Sequence, residues 1–174
     1  MEYYNTNIQL DKVVIDDIFA EFKPTTKMLV FGLGHDSKMW YMGNKNTFFV
    51  ENNNKYIQLN KDIPSDHVVK YNYKTTCTTS DQLTDNEIQK FTIPEKIKRE
   101  GPFDIIIIDG PNGYLPENPG RLIPCFWSTA LIKPGSIVYM DDVNRPLEQY
   151  CIQKYFAKYP KKLLGQRHTC KIMI

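Results

Sequence analysis

The chain has 174 residues, of which 41% are hydrophobic and 24% charged, and its formal net charge is +2. These values are typical of a soluble globular protein and predict a single domain over residues 1–174. The small net charge and the lack of a basic cluster exclude nucleic acid as the expected partner. The sequence shows no leader peptide and no apolar run near the ~18 residues of a membrane helix, so we expect a soluble, cytoplasmic chain without a membrane partner.

The cysteines lie far apart in the sequence, at Cys77, Cys125, Cys151 and Cys170. They form no Cys-x-x-Cys pair and the histidines are not clustered, so neither a zinc site nor a disulfide framework is expected. We predict free thiols, buried or half-buried, in a reducing compartment. The oligomeric state stays open at this level.

Hydrophobic periodicity and turn residues predict helices and strands that alternate along the chain. The predicted helices cover 11–22, 37–42, 53–61, 94–100, 124–132 and 145–158, and the predicted strands cover 27–31, 47–50, 68–73, 103–109 and 136–140. Residues 74–92 are polar and fit either a loop or a weak helix around 85–91. Two short strands are predicted at 161–173, around Gly165-Gln166. This alternation indicates an α/β fold, with a mostly parallel sheet and helices on both faces.

The fourth strand is the most informative of these elements. Its four consecutive isoleucines, 105–108, have no polar face, which is typical of a parallel strand buried on both sides. The strand leads directly into Asp109-Gly110-Pro111 and then into a loop rich in Gly and Pro that ends at Arg121. Ligands of open α/β sheets bind outside the carboxyl ends of the strands. We therefore expect an active-site edge at Asp109 and a lid in the loop, and an enzyme is the favoured class.

A glycine turn follows the first strand, at Gly32-Leu33-Gly34. Such glycines let a ligand approach the backbone closely. The third glycine of the dinucleotide fingerprint is missing, which disfavours an NAD enzyme. Glu51 ends the second strand and is placed to accept hydrogen bonds from the ribose hydroxyls of a nucleoside. His35, on the same turn, is a candidate for contact with cofactor or acceptor, with a purely structural role as the alternative.

Three carboxylates end neighbouring strands of the predicted sheet, Asp109 after the fourth strand and Asp141 and Asp142 after the fifth. Carboxylates that converge repel one another unless a cation or hydrogen-bond donors compensate. A hard divalent ion such as magnesium or manganese would suit them. The alternative is that one aspartate caps the following helix and another binds ligand hydroxyls without metal.

Two residues of the lid loop are candidates for substrate contact. Arg121 could pair with a carboxylate of the substrate, or with Glu117 of its own loop. Tyr114 could stack on a sugar ring or serve only as a packing anchor.

Four sequence motifs together resemble the glucuronoxylan 4-O-methyltransferase family. They are residues 29–37 (LVFGLGHDS), 49–51 (FVE), 104–121 (which contains Asp-Gly-Pro-x-Gly-Tyr-x-Pro-Glu-x-Pro-Gly-Arg) and 138–148 (VYMDDVNRPLE), in the order that the family has. The resemblance covers about residues 27–150. It implies a Rossmann-like class I methyltransferase fold, in which a seven-stranded sheet ends in an antiparallel strand, and S-adenosylmethionine as the cofactor.

The resemblance also assigns roles to residues. The residues that would bind the cofactor are Gly32, Gly34, His35, Asp36, Ser37, Glu51, Asp109, Gly110 and Pro111. The resemblance places Asp109 close to the methyl donor and the acceptor hydroxyl. From the residues themselves, we expect Asp109 together with Asp141 or Asp142 to carry catalysis, with His35 as a further candidate, with or without a divalent ion (Mg, Mn or Co) held by the three aspartates. The family has His-Asp where this chain has Asp141-Asp142, a departure that bears on metal dependence or on the acceptor.

The function expected from the sequence is therefore methyl transfer from S-adenosylmethionine to a sugar hydroxyl of a glycan or oligosaccharide, on a uronic acid or deoxy-sugar residue. Plant members of the family carry a membrane anchor and a stem that this sequence does not show, which favours a soluble glycan-modifying enzyme of a microbe or virus over a Golgi enzyme acting on xylan. Two alternatives remain: a metal-dependent catechol-type O-methyltransferase, and a non-catalytic module that binds cofactor or glycan.

Overall fold

The computed structural model describes residues 7–166 and 168–174, so residues 1–6 and 167 of the predicted domain lie outside the described part. Its centre is a seven-stranded sheet with the strand order β3-β2-β1-β4-β5-β7-β6. The strands are β1 (Met28–Phe31), β2 (Thr47–Glu51), β3 (Val68–Lys70), β4 (Ile105–Ile108), β5 (Ile137–Met140), β6 (Lys161–Leu164) and β7 (Thr169–Met173). Strands β1 to β5 are parallel, and β7 pairs antiparallel with both β5 and β6. The predicted mostly parallel sheet with an antiparallel C-terminal hairpin is confirmed.

The helices occupy the connections between the strands. They are α1 (Lys12–Ala20), α2 (Ser37–Gly43), α3 (Asn54–Leu59), α4 (Asp85–Ile88), α5 (Glu95–Glu100), α6 (Leu122–Leu131) and α7 (Pro146–Phe156). Each predicted helix is present, with ends that differ by a few residues. Among residues 7–166 and 168–174, none of these helices is both long and apolar enough to span a bilayer.

Two elements differ from the sequence prediction. Strand β3 ends at Lys70 rather than at Tyr73, because its only neighbour, β2, ends at Glu51, the residue paired with Lys70. The undecided segment 74–92 contains the short helix α4. A capping box starts this helix: the Thr84 side chain accepts from the Glu87 N–H, and the Glu87 side chain accepts from the Thr84 N–H. The Thr-x-x-Glu pattern is the signal from which this start can be read.

The isoleucines of β4 divide the core between the two faces of the sheet, as their unbroken apolar run predicts. Ile106 and Ile108 pack with α6 and α7 in one apolar cluster, which also holds Trp127. Ile105 and Ile107 pack in a second cluster on the other face, which also holds residues of α1 and α2. All four isoleucines are at most 2% exposed. Helices therefore cover both faces of β4.

The cysteines match their prediction in the described structure. All four are free thiols; Cys77 is half-buried, and the others are buried.

Strand register brings the functional residues to one edge of the sheet. Phe31 of β1 pairs with Val50 of β2 and with Ile108 of β4, and Ile108 pairs with Met140 of β5. The strands therefore end at one level. The residues that directly follow the strands, such as Gly32 after β1 and Asp141 after β5, lie along the same carboxyl edge.

Candidate active site

A cavity of about 370 Å³ opens at this carboxyl edge. Its walls are the loops after β1, β2 and β4, together with side chains from the loop after β5 and from the N-terminal segment. The glycine turn and Glu51 lie at one end of this set, and the loop from Asp109 to Tyr114 contributes the other. This is where ligands bind in open α/β sheets.

Two glycines allow the loops after β1 and β4 to touch. Gly32 has φ +117°, a conformation that side chains disfavour, and a Cβ there would lie 3.3 Å from the backbone nitrogen of Gly110. A Cβ on Gly110 would lie 2.9 Å from the Cα of Gly32. Both positions thus exclude a side chain, and the backbone of both loops stays exposed to the cavity.

Glu51 fixes the glycine turn to the end of β2. One carboxylate oxygen accepts from the Leu33 N–H at 2.8 Å, and the other accepts from the N–H groups of Asn52 and Asn53 at 2.7 and 2.6 Å. The residue is 6% exposed. The Asn60 amide also donates to the carbonyls of Leu33 and Gly34. The turn is therefore held in one conformation before any ligand binds.

The residues after the glycine turn have different positions relative to the cavity. His35 is exposed, faces the cavity, and contacts the Tyr56 ring edge-on. Asp36 is buried and accepts from the Trp40 indole N–H at 2.7 Å, and burial raises the pKa of its carboxyl. Ser37 is fully buried at the start of α2 and does not line the cavity. The structure does not bring Ser37 to the cavity, and its contact with the cofactor stays a prediction.

The three predicted carboxylates do converge. One oxygen each of Asp109, Asp141 and Asp142 lies within 4.8 Å of the others. The Arg121 guanidinium compensates two of them, with Nη2 at 3.3 Å from Asp109 Oδ1 and 2.7 Å from Asp142 Oδ2. The same guanidinium donates to the backbone carbonyls of Asp109 and Asp141.

Arg121 is thus a buried cation, 3% exposed, that ties the carboxyl ends of β4 and β5 together. From the sequence, a substrate carboxylate and Glu117 were its possible partners. The structure instead pairs it with Asp109 and Asp142, because the sheet register places those two residues beside the start of α6.

Of the three carboxylates, Asp109 is the most exposed at the cavity, which Asp142 also lines. Its side chain is 35% exposed, whereas that of Asp142 is 12% exposed. Desolvation by the surrounding protein atoms raises the pKa of Asp109 well above its usual value. The positive charge of Arg121 opposes this shift, and the negative charges of Asp141 and Asp36 add to it. A carboxylate with a raised pKa at a cavity wall is suited to accept a proton.

Asp141 does not line the cavity, and its direct catalytic role stays a prediction. It is 2% exposed and accepts from the Thr169 hydroxyl at 2.6 Å, so it lies behind the wall. Asp142 adopts φ +58°, in the left-handed region that only a few residue types tolerate. This conformation turns its carboxylate to both Arg121 and Arg145.

Sequence reasoning missed two charged residues of this site. Arg145 lines the cavity, 28% exposed, with Nη2 at 2.9 Å from Asp142 Oδ2. Glu148 is 1% exposed, and neither of its carboxylate oxygens has a hydrogen-bond partner in the described residues. Burial raises the pKa of Glu148, and the nearby Arg121 and Arg145 lower it. Arg145 is the N-cap residue of α7 and Glu148 lies in its first turn, so their place in the motif 138–148 was the available signal.

The lid loop is attached at its far end to the segment before α4. The N–H groups of Cys77 and Thr78 donate to the carbonyls of Asn118 and Pro116, and the Thr75 hydroxyl donates to the carbonyl of Pro119. Tyr114 lies on the cavity side of the loop and is 64% exposed. It remains a prediction that Tyr114 contacts the substrate.

Replacement of Arg121 by Met is expected to destabilise the protein by about 3 kcal/mol, because Asp109 and Asp142 would lose the charge that compensates them in a buried site. Urea unfolding of the variant measures this loss. Arg99→Met is the matched control: its ion pair with Glu100 is long, at 3.9 Å, and Arg99 is 74% exposed. The control should change stability by less than ~1 kcal/mol. Equal stability of the two variants would contradict the role given to Arg121.

A sheet of order 3-2-1-4-5-7-6, with a glycine turn after β1 and acids at the ends of β2 and β4, is the fold of the class I methyltransferases. A solved methyltransferase from Pyrococcus furiosus has the same fold, with a TM-score of 0.56 and 16% sequence identity; the match covers 98% of this chain and 86% of that one.

Residues 11–166 match the family described as IRX15/IRX15L/GXM, and the chain belongs to this family. It is 30% identical to glucuronoxylan 4-O-methyltransferase 3 of Arabidopsis thaliana, over 91% of this chain and 62% of the relative. It is 29% identical to arabinogalactan O-methyltransferase 2 of the same plant, over 79% of this chain and 57% of the relative. The chain thus spans about three fifths of the length of these relatives.

Proposed function

We propose that this protein is an S-adenosylmethionine-dependent O-methyltransferase that modifies a sugar hydroxyl of a glycan, and that the chain forms a single catalytic domain. The observation that carries the proposal is the cavity, because the glycine turn, Glu51 and Asp109 all line it. Asp109 is a carboxylate whose pKa is raised. The names of the relatives, O-methyltransferases of glucuronoxylan and arabinogalactan, support a glycan as the acceptor.

The cofactor end of the cavity follows from the glycine turn and Glu51. The backbone at Gly32 and Gly110 leaves room for the methionine part of S-adenosylmethionine. Glu51, which accepts from three backbone N–H groups in the structure, would also accept hydrogen bonds from the ribose hydroxyls. When bound, S-adenosylmethionine supplies an electrophilic methyl group: the acceptor oxygen forms a bond to its carbon, the carbon–sulfur bond breaks, and the electron pair leaves with S-adenosylhomocysteine.

Asp109 would orient the acceptor hydroxyl and accept its proton as the oxygen bonds to the methyl carbon. A sugar hydroxyl is a weak nucleophile, so a positioned base is expected to accelerate the reaction substantially. Arg121, itself paired with Asp142, holds the Asp109 carboxylate in place, and Asp141 fixes the strand end through Thr169. His35, exposed on the opposite loop, is proposed to contact cofactor or acceptor.

The acceptor end lies between Tyr114 and Arg145. Arg145 is better placed than Arg121 to bind an anionic sugar, because its side chain is more exposed and it pairs with Asp142, whereas Arg121 is enclosed by protein groups. Tyr114 offers a ring face for a sugar. We therefore propose a uronic acid, rather than a deoxy-sugar, as the methylated residue.

A mass-spectrometric acceptor screen with isotope-labelled S-adenosylmethionine tests the function. Uronic-acid oligosaccharides are expected to gain the label, and neutral deoxy-sugar oligosaccharides and catechols to gain little. Preferential labelling of catechols would favour the small-molecule enzyme instead. Cofactor binding without turnover on any glycan would favour a non-catalytic module.

A divalent ion is a further part of the proposal. The three carboxylates offer the oxygen ligands that hard cations prefer, and one oxygen of each lies within 4.8 Å of the others. Asp109, Asp141 and Asp142 would hold the ion, which would lower the pKa of the acceptor hydroxyl. Arg121 would then share Asp109 and Asp142 with it.

Removal of divalent ions is expected to slow methyl transfer at least ~10-fold, and Mg²⁺, Mn²⁺ or Co²⁺ is expected to restore it. The measurement is the initial rate after chelation and dialysis, followed by titration with each ion. An unchanged rate in excess chelator would exclude the metal and leave Arg121 as the only cation that the reaction needs.

A further inference from the structure

The N-terminal segment, residues 7–10, forms part of the wall of the cavity. Asn7, Gln9 and Leu10 line it together with the glycine turn. Ile8 and Leu10 are 8% and 5% exposed and pack in the apolar cluster that contains Leu33 of that turn. Alternate residues of the segment therefore point into the core, while Gln9 stays exposed beside the cavity.

The next residue, Asp11, joins this segment to the opposite end of the chain. It is the N-cap residue of α1, and its carbonyl accepts from Val14 and Ile15, but its side chain makes no capping hydrogen bond to that helix. A side-chain cap is the usual use of aspartate at this position. Instead, Asp11 Oδ2 accepts from the Gln166 N–H, 155 residues away in the β6–β7 turn, at 2.5 Å.

The β6–β7 turn is shaped to receive this carboxylate. Gly165 has φ +68°, and a Cβ on Gly165 would overlap the Asp11 side chain. A residue without a side chain is therefore required there for two separate reasons, its backbone conformation and its contact with Asp11. The turn lies beside the end of β5, where Asp141 and Asp142 follow the strand. The contact of Asp11 with this turn therefore connects the N-terminal segment to that strand end.

We propose that Asp11 is a positioning residue for cofactor binding: by its contact with Gly165-Gln166 it holds the segment 7–10 as the outer wall of the S-adenosylmethionine site. The wall covers the cavity beside the glycine turn, where Leu10 packs near Leu33, and offers the Gln9 amide to the bound methionine group. This inference rests on the cofactor assigned in the proposed function. It adds residues that lie before the first strand, outside the motifs that define the site.

Calorimetric binding of S-adenosylhomocysteine to the full chain tests the proposal, because this ligand needs no glycan. Asp11→Ala removes the acceptor for Gln166, and Gly165→Ala displaces Asp11 while leaving the carboxylate in the protein. Both are expected to raise Kd about 10-fold, because part of the binding free energy would then be spent on ordering the released segment 7–10. Asp11→Asn keeps an oxygen that can accept from Gln166 and is expected to restore most of the affinity.

Gly135→Ala is the matched control. Gly135 also has a positive φ, +87°, but a Cβ there would meet no atom within 4 Å. Both glycine variants carry a backbone penalty of about 1 kcal/mol, and Gly165→Ala also displaces Asp11, so its thermal unfolding midpoint should fall at least as far as that of Gly135→Ala. Only Gly165→Ala should weaken S-adenosylhomocysteine binding. If Asp11→Ala does not fold, this glycine pair alone decides.

Binding to Gly165→Ala and Asp11→Ala that equals binding to Gly135→Ala would overturn the inference and leave the proposed function intact. Failure of Asp11→Asn to rescue would overturn it as well, since the contact would then not act through hydrogen bonding. Wild-type protein that does not bind S-adenosylhomocysteine would overturn the proposed cofactor and this inference together.

Discussion

Asp109→Ala is expected to fold and to lower the rate of methyl transfer by about 10³-fold, within the range that a positioned general base contributes. The carboxylate lines the cavity at the end of β4 and, under the proposed function, accepts the proton of the sugar hydroxyl. Turnover of labelled S-adenosylmethionine measures the loss. Because Arg121 retains Asp142 as a partner, unfolding should shift only modestly.

The pH dependence separates this role from simple positioning. The pKa of Asp109 is raised, so its carboxyl keeps a proton at pH values where ordinary carboxyls are ionised. As a base it acts only when deprotonated; kcat/KM should therefore rise with pH through this raised pKa and level off above it. Asp109→Asn keeps the shape of the side chain, and the rise of kcat/KM with pH should be absent in this variant. An Asn variant with full activity, or with an unchanged rise, would contradict the assignment.

Glu51→Gln is expected to weaken S-adenosylhomocysteine binding by about 10²-fold, since charge-assisted hydrogen bonds to both ribose hydroxyls would be lost or weakened. The amide also leaves fewer acceptors for the three backbone N–H groups that Glu51 holds, which loosens the glycine turn. Isothermal calorimetry measures the affinity.

Glu87→Gln provides the control for that variant. Glu87 likewise accepts from a local backbone N–H, that of Thr84, but it is exposed and lies outside the cavity. Its replacement should leave affinity within about 2-fold of wild type. If Glu51→Gln binds as tightly as this control, Glu51 does not contact the cofactor and serves only the turn.

The sequence predicted the parts of this protein that depend on local pattern. The isoleucines of β4 predicted a strand buried on both faces, and strand ends predicted that Gly32, Glu51 and Asp109 would meet. It could not predict contacts set by packing between distant segments. The partners of Arg121 depend on how α6 starts beside β5, and the contact of Asp11 with Gln166 spans nearly the whole chain.

The same limit explains the errors in detail. Asp141 and Asp142 are adjacent in sequence and look equivalent, yet the left-handed conformation of Asp142 turns one carboxylate to the arginines while Asp141 faces Thr169. Backbone dihedral angles decide which way a side chain points at a strand end, and the sequence Asp-Asp does not specify those angles. Arg145 and Glu148 were missed because their roles appear only once α7 packs beneath the lid loop.

The attachment of the lid loop has a consequence for altering acceptor preference. Arg121 anchors the end of the loop to Asp109 and Asp142, and hydrogen bonds from 75–78 support residues 116–119. The stretch around Tyr114 can thus vary in length and chemistry while the Asp109 carboxylate keeps its position. Grafting this loop from one family member to another should therefore carry residues 75–78 along with it, as one exchangeable specificity unit made of two separate pieces of chain.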